Sequence, residues 1–171
     1  HLMYEGFIEE GLEIVKAVRN RYDGERRNPW NEVECGHHYA RAMSSWSILL
    51  ALSGFSCNAA DRQIGFRPLI DPVRFSCFWS TDSGWGIYRQ RAGSRSLRAD
   101  LEVLWGTLTI RTIDLPGVGR GEEGEPLKTD IVHEEHAIPA RGEVSAQGSR
   151  VIFQRSVTVT PAHPLSIEVK A

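Results

Sequence analysis

The period of the apolar residues changes once along this chain, near Gly54, and that single switch constrains the fold more than any other feature. Before it, Phe7, Ile8, Leu12, Val15 and Val18 recur at the three-to-four spacing of an amphipathic helix, with Ile14 widening the stripe. After it, β-branched and aromatic residues alternate between Gly and Pro punctuation. The spacing therefore predicts an α+β chain. Residues 1–54 form a helical segment, and residues 55–171 an antiparallel β-rich region with a flexible loop at 116–126.

The first helix is expected from Tyr4 to Asn20 and should end near Tyr22-Asp23-Gly24. Glu5, Glu9, Glu10 and Glu13 lie early and Lys16, Arg19 and Arg21 late, an order that suits the helix dipole. His1-Leu2, ahead of Met3, reads as a cloning scar. Pro29 and Gly36 mark a loop. A second helix is then expected from about His37 to Ser53, stopped by Gly54. Tyr39, Ala40, Met43 and Trp46 take one side of it, and Ile48 to Leu52 cover the rest. A helix apolar nearly all round is expected to be buried on all sides, which two helices and a small sheet can hardly achieve.

Strands are predicted at 75–80, 86–91, 97–104, 107–113, 131–138, 143–145, 150–160 and 165–170. Trp105-Gly106-Thr107 reads as a hairpin turn. Val157 and Val159 are expected to pair with Ile167 and Val169 in a closing hairpin through Pro161-Ala162-His163-Pro164. Many short strands at this spacing suggest an antiparallel sandwich or part of one.

Composition narrows the function classes. Twenty basic residues against 22 acidic ones in 171 give a charge of −2, which argues against nucleic acid as a partner. The longest apolar run, Ile48 to Leu52, is far short of the ~20 residues of a membrane span, so no transmembrane segment is expected. The N-terminus shows no signal peptide. Three cysteines, Cys35, Cys57 and Cys77, fit no zinc spacing and read as reduced thiols of a cytoplasmic protein.

The densest polar stretch runs from Arg27 to Arg41 and feeds straight into the apolar helix. Polar groups at such an entry must be hydrogen-bonded or must face a cavity. Glu32 and Glu34 point the same way in an extended segment. Arg41 needs a carboxylate partner, and these two are the nearest. The three form either a network that caps the helix or a pair suited to sugar hydroxyls, the carboxylate accepting and the guanidinium donating. Glu32 and Glu34 are too close in sequence to flank a glycosidic bond. Cys35, His37 and His38 lack the further ligand a metal needs, and no metal or cofactor is expected. His133-Glu134-Glu135-His136 spaces its histidines three apart rather than four and reads as surface strand. Gly117-Val118-Gly119-Arg120-Gly121 lacks the Lys-Ser/Thr of a phosphate loop and reads as flexible. Asp71 and Asp82 have no recognisable catalytic context. Exposure of Trp30, Trp79 or Trp85 would offer a carbohydrate-stacking surface.

The run Arg27-Asn28-Pro29-Trp30-Asn31-Glu32-Val33-Glu34-Cys35-Gly36, followed by Tyr39-Ala40-Arg41-Ala42-Met43-Ser44-Ser45, closely resembles the C-terminal part of glycoside hydrolase family 116. That family holds non-lysosomal glucosylceramidases and bacterial β-glucosidases. Ile14-Val15-Lys16, Arg21-Tyr22-Asp23-Gly24, Phe78-Trp79-Ser80 and Gly84-Trp85-Gly86 fit as well. The resemblance implies that the two helices are the last of an (α/α)6 catalytic barrel. It implies retaining hydrolysis by a Glu nucleophile and an Asp acid/base, both upstream of this segment, so that the chain alone holds no catalytic residue. Glu32 and Arg41 match the residues that bind glucose hydroxyls, with Asn31, Glu34, His37, His38 and Tyr39 around them. His37 stands where the family often has Asp. The implied partners are a glucoside substrate and the remainder of the parent enzyme. The alternative is a self-standing β-rich binding or interaction module that dimerises or docks through its apolar helices.

Overall fold

The computed structural model describes residues 1–27, 42–119 and 121–171, and these fall into two compact units, His1–Leu52 and Ser53–Ala171. In the first unit, α1 spans Ile8–Arg21, with Glu9 and Glu10 in its first turn and Arg19 and Arg21 in its last. The turn that precedes it folds the buried Met3 onto Gly11, where an added Cβ would lie 3.0 Å from the Met3 Cγ. The chain leaves α1 at Tyr22, and Asp23 accepts backbone hydrogen bonds from Glu25 and Arg26 at 3.0 and 2.8 Å. The bond from Arg26 chiefly holds the Asp23 carboxyl below its ordinary range. Phe7, Ile14 and Val18, at i, i+7 and i+11, share one face and stay exposed. The second helix, α2, spans Ala42–Ser53. Contrary to expectation it is not buried on all sides: Ala51 is buried, but Trp46 and Leu50 are exposed.

Gly54 does stop α2. It adopts φ +57°, and a Cβ there would lie 2.2 Å from the Arg67 carbonyl oxygen. The close approach lets the Arg67 N–H satisfy the Ser53 carbonyl at 2.9 Å.

The second unit is built from eleven strands: β1 Ser56–Asn58, β2 Gln63–Gly65, β3 Arg74–Ser80, β4 Gly84–Ala92, β5 Ser96–Gly106 and β6 Leu108–Leu115, then β7 Pro126–His133, β8 His136–Ala137, β9 Ala140–Ser145, β10 Gly148–Val159 and β11 Leu165–Lys170. They form one curled sheet in the order β1-β2-β6-β10-β9-β7-β11-β5-β4-β3, with β8 pairing β7. β7 is the joint of the sheet. Pro126 and Leu127 pair with β9, and the rest of β7 pairs with β11.

The α+β expectation of helices followed by an antiparallel half is overturned. Strand accounts for 50% of the chain and helix for 15%, which makes this a β-rich fold, and the sheet is mixed. β2 runs parallel to β6, with Ile64 beside Ile113. Two reasons explain the miss. β1 and β2 are three residues each, too short to display a period. The long excursion through β3, β4 and β5 returns the chain beside β2 in the same direction, as a parallel pair requires a crossover. Asp114 stitches this parallel pair to β10. It accepts hydrogen bonds from Gln63 at 2.5 Å and from the Arg150 guanidinium at 2.7 and 3.1 Å.

Both expected hairpins are also corrected. Gly106 (φ +77°) does not fold β6 back on β5, because β5 pairs with β4 and β11 while β6 pairs with β2 and β10. Likewise β10 does not pair with β11, and only a bridge between Thr160 and His163 spans Pro161–Pro164. Each turn carries the chain to a different part of the sheet. The 116–126 connection is tied by the buried Val118 and by backbone bonds that link Gly124 and Glu125 to Val144.

Alternation on the long strands buries Leu97, Ala99, Leu101 and Val103 of β5, Ile110 and Ile113 of β6, Val151 and Phe153 of β10, and Leu165, Ile167 and Val169 of β11. Phe66 stacks on Tyr88 with ring centroids 3.9 Å apart. The Tyr88 hydroxyl donates to Gln90 at 2.7 Å, and the Gln90 amide donates to the Pro72 carbonyl, so the Tyr88 hydroxyl and both polar atoms of the Gln90 side chain have partners. Tyr88→Phe leaves the Gln90 oxygen without its donor. It is expected to cost about 1–3 kcal/mol, read as a lower urea midpoint. An unchanged midpoint would show that the buried bond contributes nothing.

Candidate functional site

The residues matched to glucose binding by sequence, Glu32 and Arg41, and their neighbours Asn31, Glu34, His37, His38 and Tyr39, lie outside the described residues, as do Trp30 and Cys35. Trp79 is a core residue, 2% exposed, and not a stacking surface. Trp85 is 39% exposed and sits directly across from Trp105, which is 63% exposed. The sequence alone places Trp105 in a turn. Its pairing partner emerges only because a bulge between Trp85 and Gly86 adds Leu104 to β5 and brings both indoles to the outer face.

That outer face is ordered in rows by strand register. Trp85 and Trp105 head it, with the Phe78 ring 5.9 Å from Trp85 and tilted 39°. Next come Phe78, Ile87 and Glu102, then Ser76, Arg89, Asp100 and Ser166, and last Arg74, Arg91, Arg98 and Glu168. The Glu102 carboxylate holds Arg89 at 2.8 Å, and the Asp100 carboxylate holds Arg98 at 3.5 Å. The Ser166 hydroxyl donates to Asp100 at 2.7 Å. Both carboxylates are thus held by arginines, an arrangement that binds polar groups through mixed donors and acceptors.

Beside this face, His133 and His163 approach edge to face at 6.3 Å, and Glu134 lies 4.0 Å from His163. His133 to His136 form the tight turn between β7 and β8, with Glu134 and Glu135 at positive φ. No group of three metal-ligating side chains occurs among the described residues.

A second, smaller hollow is lined by Cys57, Asn58, Arg62, Gln63, Thr81, Asp82 and Ser83. Burial, and then the nearby Asp82 charge, push the Cys57 thiol up. A thiol held protonated is a poor nucleophile. Cys57 and Cys77 are free thiols. No helix among the described residues is long and apolar enough to cross a membrane. No protein-family model and no curated protein matches this chain.

Proposed function

We propose that this chain is the C-terminal segment of a retaining β-glucosidase resembling glycoside hydrolase family 116. In this reading Glu32 and Arg41 bind glucose hydroxyls, and upstream chain supplies the nucleophile and the acid. The observation that carries it is the run from Arg27 to Ser45, whose resemblance to the C-terminal part of that family matches Glu32 and Arg41 to its glucose-binding residues. Two features add support. The exposed stripe of Phe7, at the N-cap of α1, with Ile14 and Val18 gives the upstream chain an apolar surface to cover. The Trp85 and Trp105 indoles give the apolar face of a sugar ring a place to stack. The setting is cytoplasmic, where thiols such as Cys57 and Cys77 stay reduced.

Covalent glycoside hydrolysis needs two carboxylates about the scissile bond, so the 171-residue chain by itself is expected to show no turnover of an aryl β-glucoside. In an enzyme carrying this segment, Glu32→Gln and Arg41→Ala should each lower kcat/KM about 10- to 100-fold. That is the loss expected when a charge-assisted hydrogen bond worth about 1.5–3 kcal/mol is removed. The melting temperature should barely move. Unchanged kinetics in both variants would sink the assignment. The α1 stripe also favours a second reading, a binding module that self-associates through its helices. Light scattering separates the two, since a monomer at micromolar concentration excludes self-association.

A further inference from the structure

On β3, β4 and β5, Arg74, Arg91 and Arg98 are successive register partners on the outer face, one on each of three neighbouring strands. Like charges directly opposite on paired strands destabilise a sheet. Arg98 is relieved by Asp100 at 3.5 Å and Arg89 by Glu102 at 2.8 Å. Among the described residues Arg74 and Arg91 form no ion pair. Arg74, Ser76, Arg89, Arg91, Arg98 and Asp100 line a single cavity, in which Asp100 also accepts from Ser166. Four guanidinium charges against the two carboxylates that hold Arg89 and Arg98 leave a formal charge of +2 there.

The floor of the cavity is rigid. The buried Tyr88–Gln90–Pro72 chain lies beneath it, and the Ala92 N–H donates to the Val73 carbonyl at 2.8 Å. Those bonds fix the start of β3 against the end of β4, so the two unpaired arginines are held side by side rather than free to diverge. Paired strand residues stand ~5 Å apart, close enough for two guanidinium groups to grip one tetrahedral oxyanion, each with two N–H donors. A phosphate monoester carries ≈ −1.5 to −2, which matches the surplus charge.

We infer that Arg74 and Arg91 form a binding site for a phosphate monoester group, with Ser76 as a further hydroxyl donor. The inference does not depend on the proposed role of Glu32 and Arg41.

The test uses the whole chain with inorganic phosphate as the probe, against chloride at equal ionic strength. Phosphate is expected to raise the melting temperature saturably, with half-effect in the low-millimolar range or below, and to broaden its own ³¹P signal. Arg91→Gln and Arg74→Gln should each weaken the dissociation constant at least tenfold. Arg155→Gln, also exposed, should leave it unchanged. Because Arg91→Gln removes a like-charge opposition, it should melt no lower than the parent in chloride, which separates lost binding from lost folding. No phosphate-specific rise, or an equal rise in the Arg91 and Arg74 variants, would overturn the site.

Discussion

Raising the pH from 9 to 12 is expected to remove about 3 kcal/mol of stability from this protein, through Cys77 alone. Cys77 of β3 and Tyr88 of β4 are register partners whose side chains share the core face. Burial pushes the Cys77 thiol from 9.0 up to about 12. Burial first, and then the neighbouring Cys77 and Asp100 charges, push the Tyr88 hydroxyl well above its ordinary value. Below pH 9 the thiol is protonated in both the folded and the unfolded chain, so its burial carries no pH-dependent cost. Between 9 and 12 the unfolded chain releases this proton and the folded chain keeps it. Stability then falls by about 1.4 kcal/mol per pH unit for one withheld proton. Above about 12 both states are ionised and Cys77 adds nothing more. Tyr88 adds a second such slope that begins near pH 10. Urea denaturation at pH 8.5 and 11.5 reads the effect. Cys77→Ala should cost stability at pH 8.5, and that cost should shrink by about 3 kcal/mol at pH 11.5, because the variant lacks the slope of about one proton. Parallel pH profiles for parent and variant would refute the account.

The same pair illustrates what the sequence made legible. Cys77 and Trp79 alternate with Ser76, Phe78 and Ser80, and Leu97, Ala99, Leu101 and Val103 alternate with Arg98, Asp100 and Glu102. Period-two patterning therefore located the long strands and their inner faces. It could not show which strand lies beside which. Reading glycine as punctuation starts two expected strands late, at 86 and 143, although Gly84 and Gly142 belong to β4 and β9. Gly84, Gly86 and Gly142 lie inside strands, where an added Cβ would meet the backbone of a neighbour at 2.7, 1.8 and 2.9 Å. These glycines serve close approach rather than turning.

The candidate sites divide the same way. Glu32 and Arg41 lie outside the described residues, and their reading rests on the run from Arg27 to Ser45 alone. Arg74, Arg91 and Arg98 were invisible because nothing in their spacing signals a row. Only the register of three strands makes them neighbours. Trp105 was hidden for a related reason, since the bulge that turns it outward is a property of two strands rather than of one.

Gly86→Ala is expected to be the most damaging small substitution in the β unit. Gly86 is the register partner of Trp79 on one side and of Val103 on the other. Its missing side chain accommodates the Glu102 carbonyl oxygen, 1.8 Å from where a Cβ would sit, and the Trp79 ring at 3.0 Å. The first contact is with backbone, so no rotamer change relieves it. Either β4 and β5 separate, losing ladder hydrogen bonds, or the bulge that sets Trp85 against Trp105 is abandoned. Trp79 is only 2% exposed and cannot retreat from a close-packed core without opening a void. The loss should reach about 4 kcal/mol or more, in the range reserved for such backbone and packing failures. Gly117→Ala is the matched control. The nearest atom to its added Cβ would be the Gly148 Cα at 3.6 Å, an ordinary contact. There the methyl group mainly restricts the unfolded chain and should be neutral or add about 0.4–1 kcal/mol. Urea denaturation followed by tryptophan fluorescence would report both. A Gly86→Ala protein within about 1 kcal/mol of its parent would mean that β4 and β5 do not approach as closely as the bulge requires. The exposed indole pair would then lose its structural basis as well.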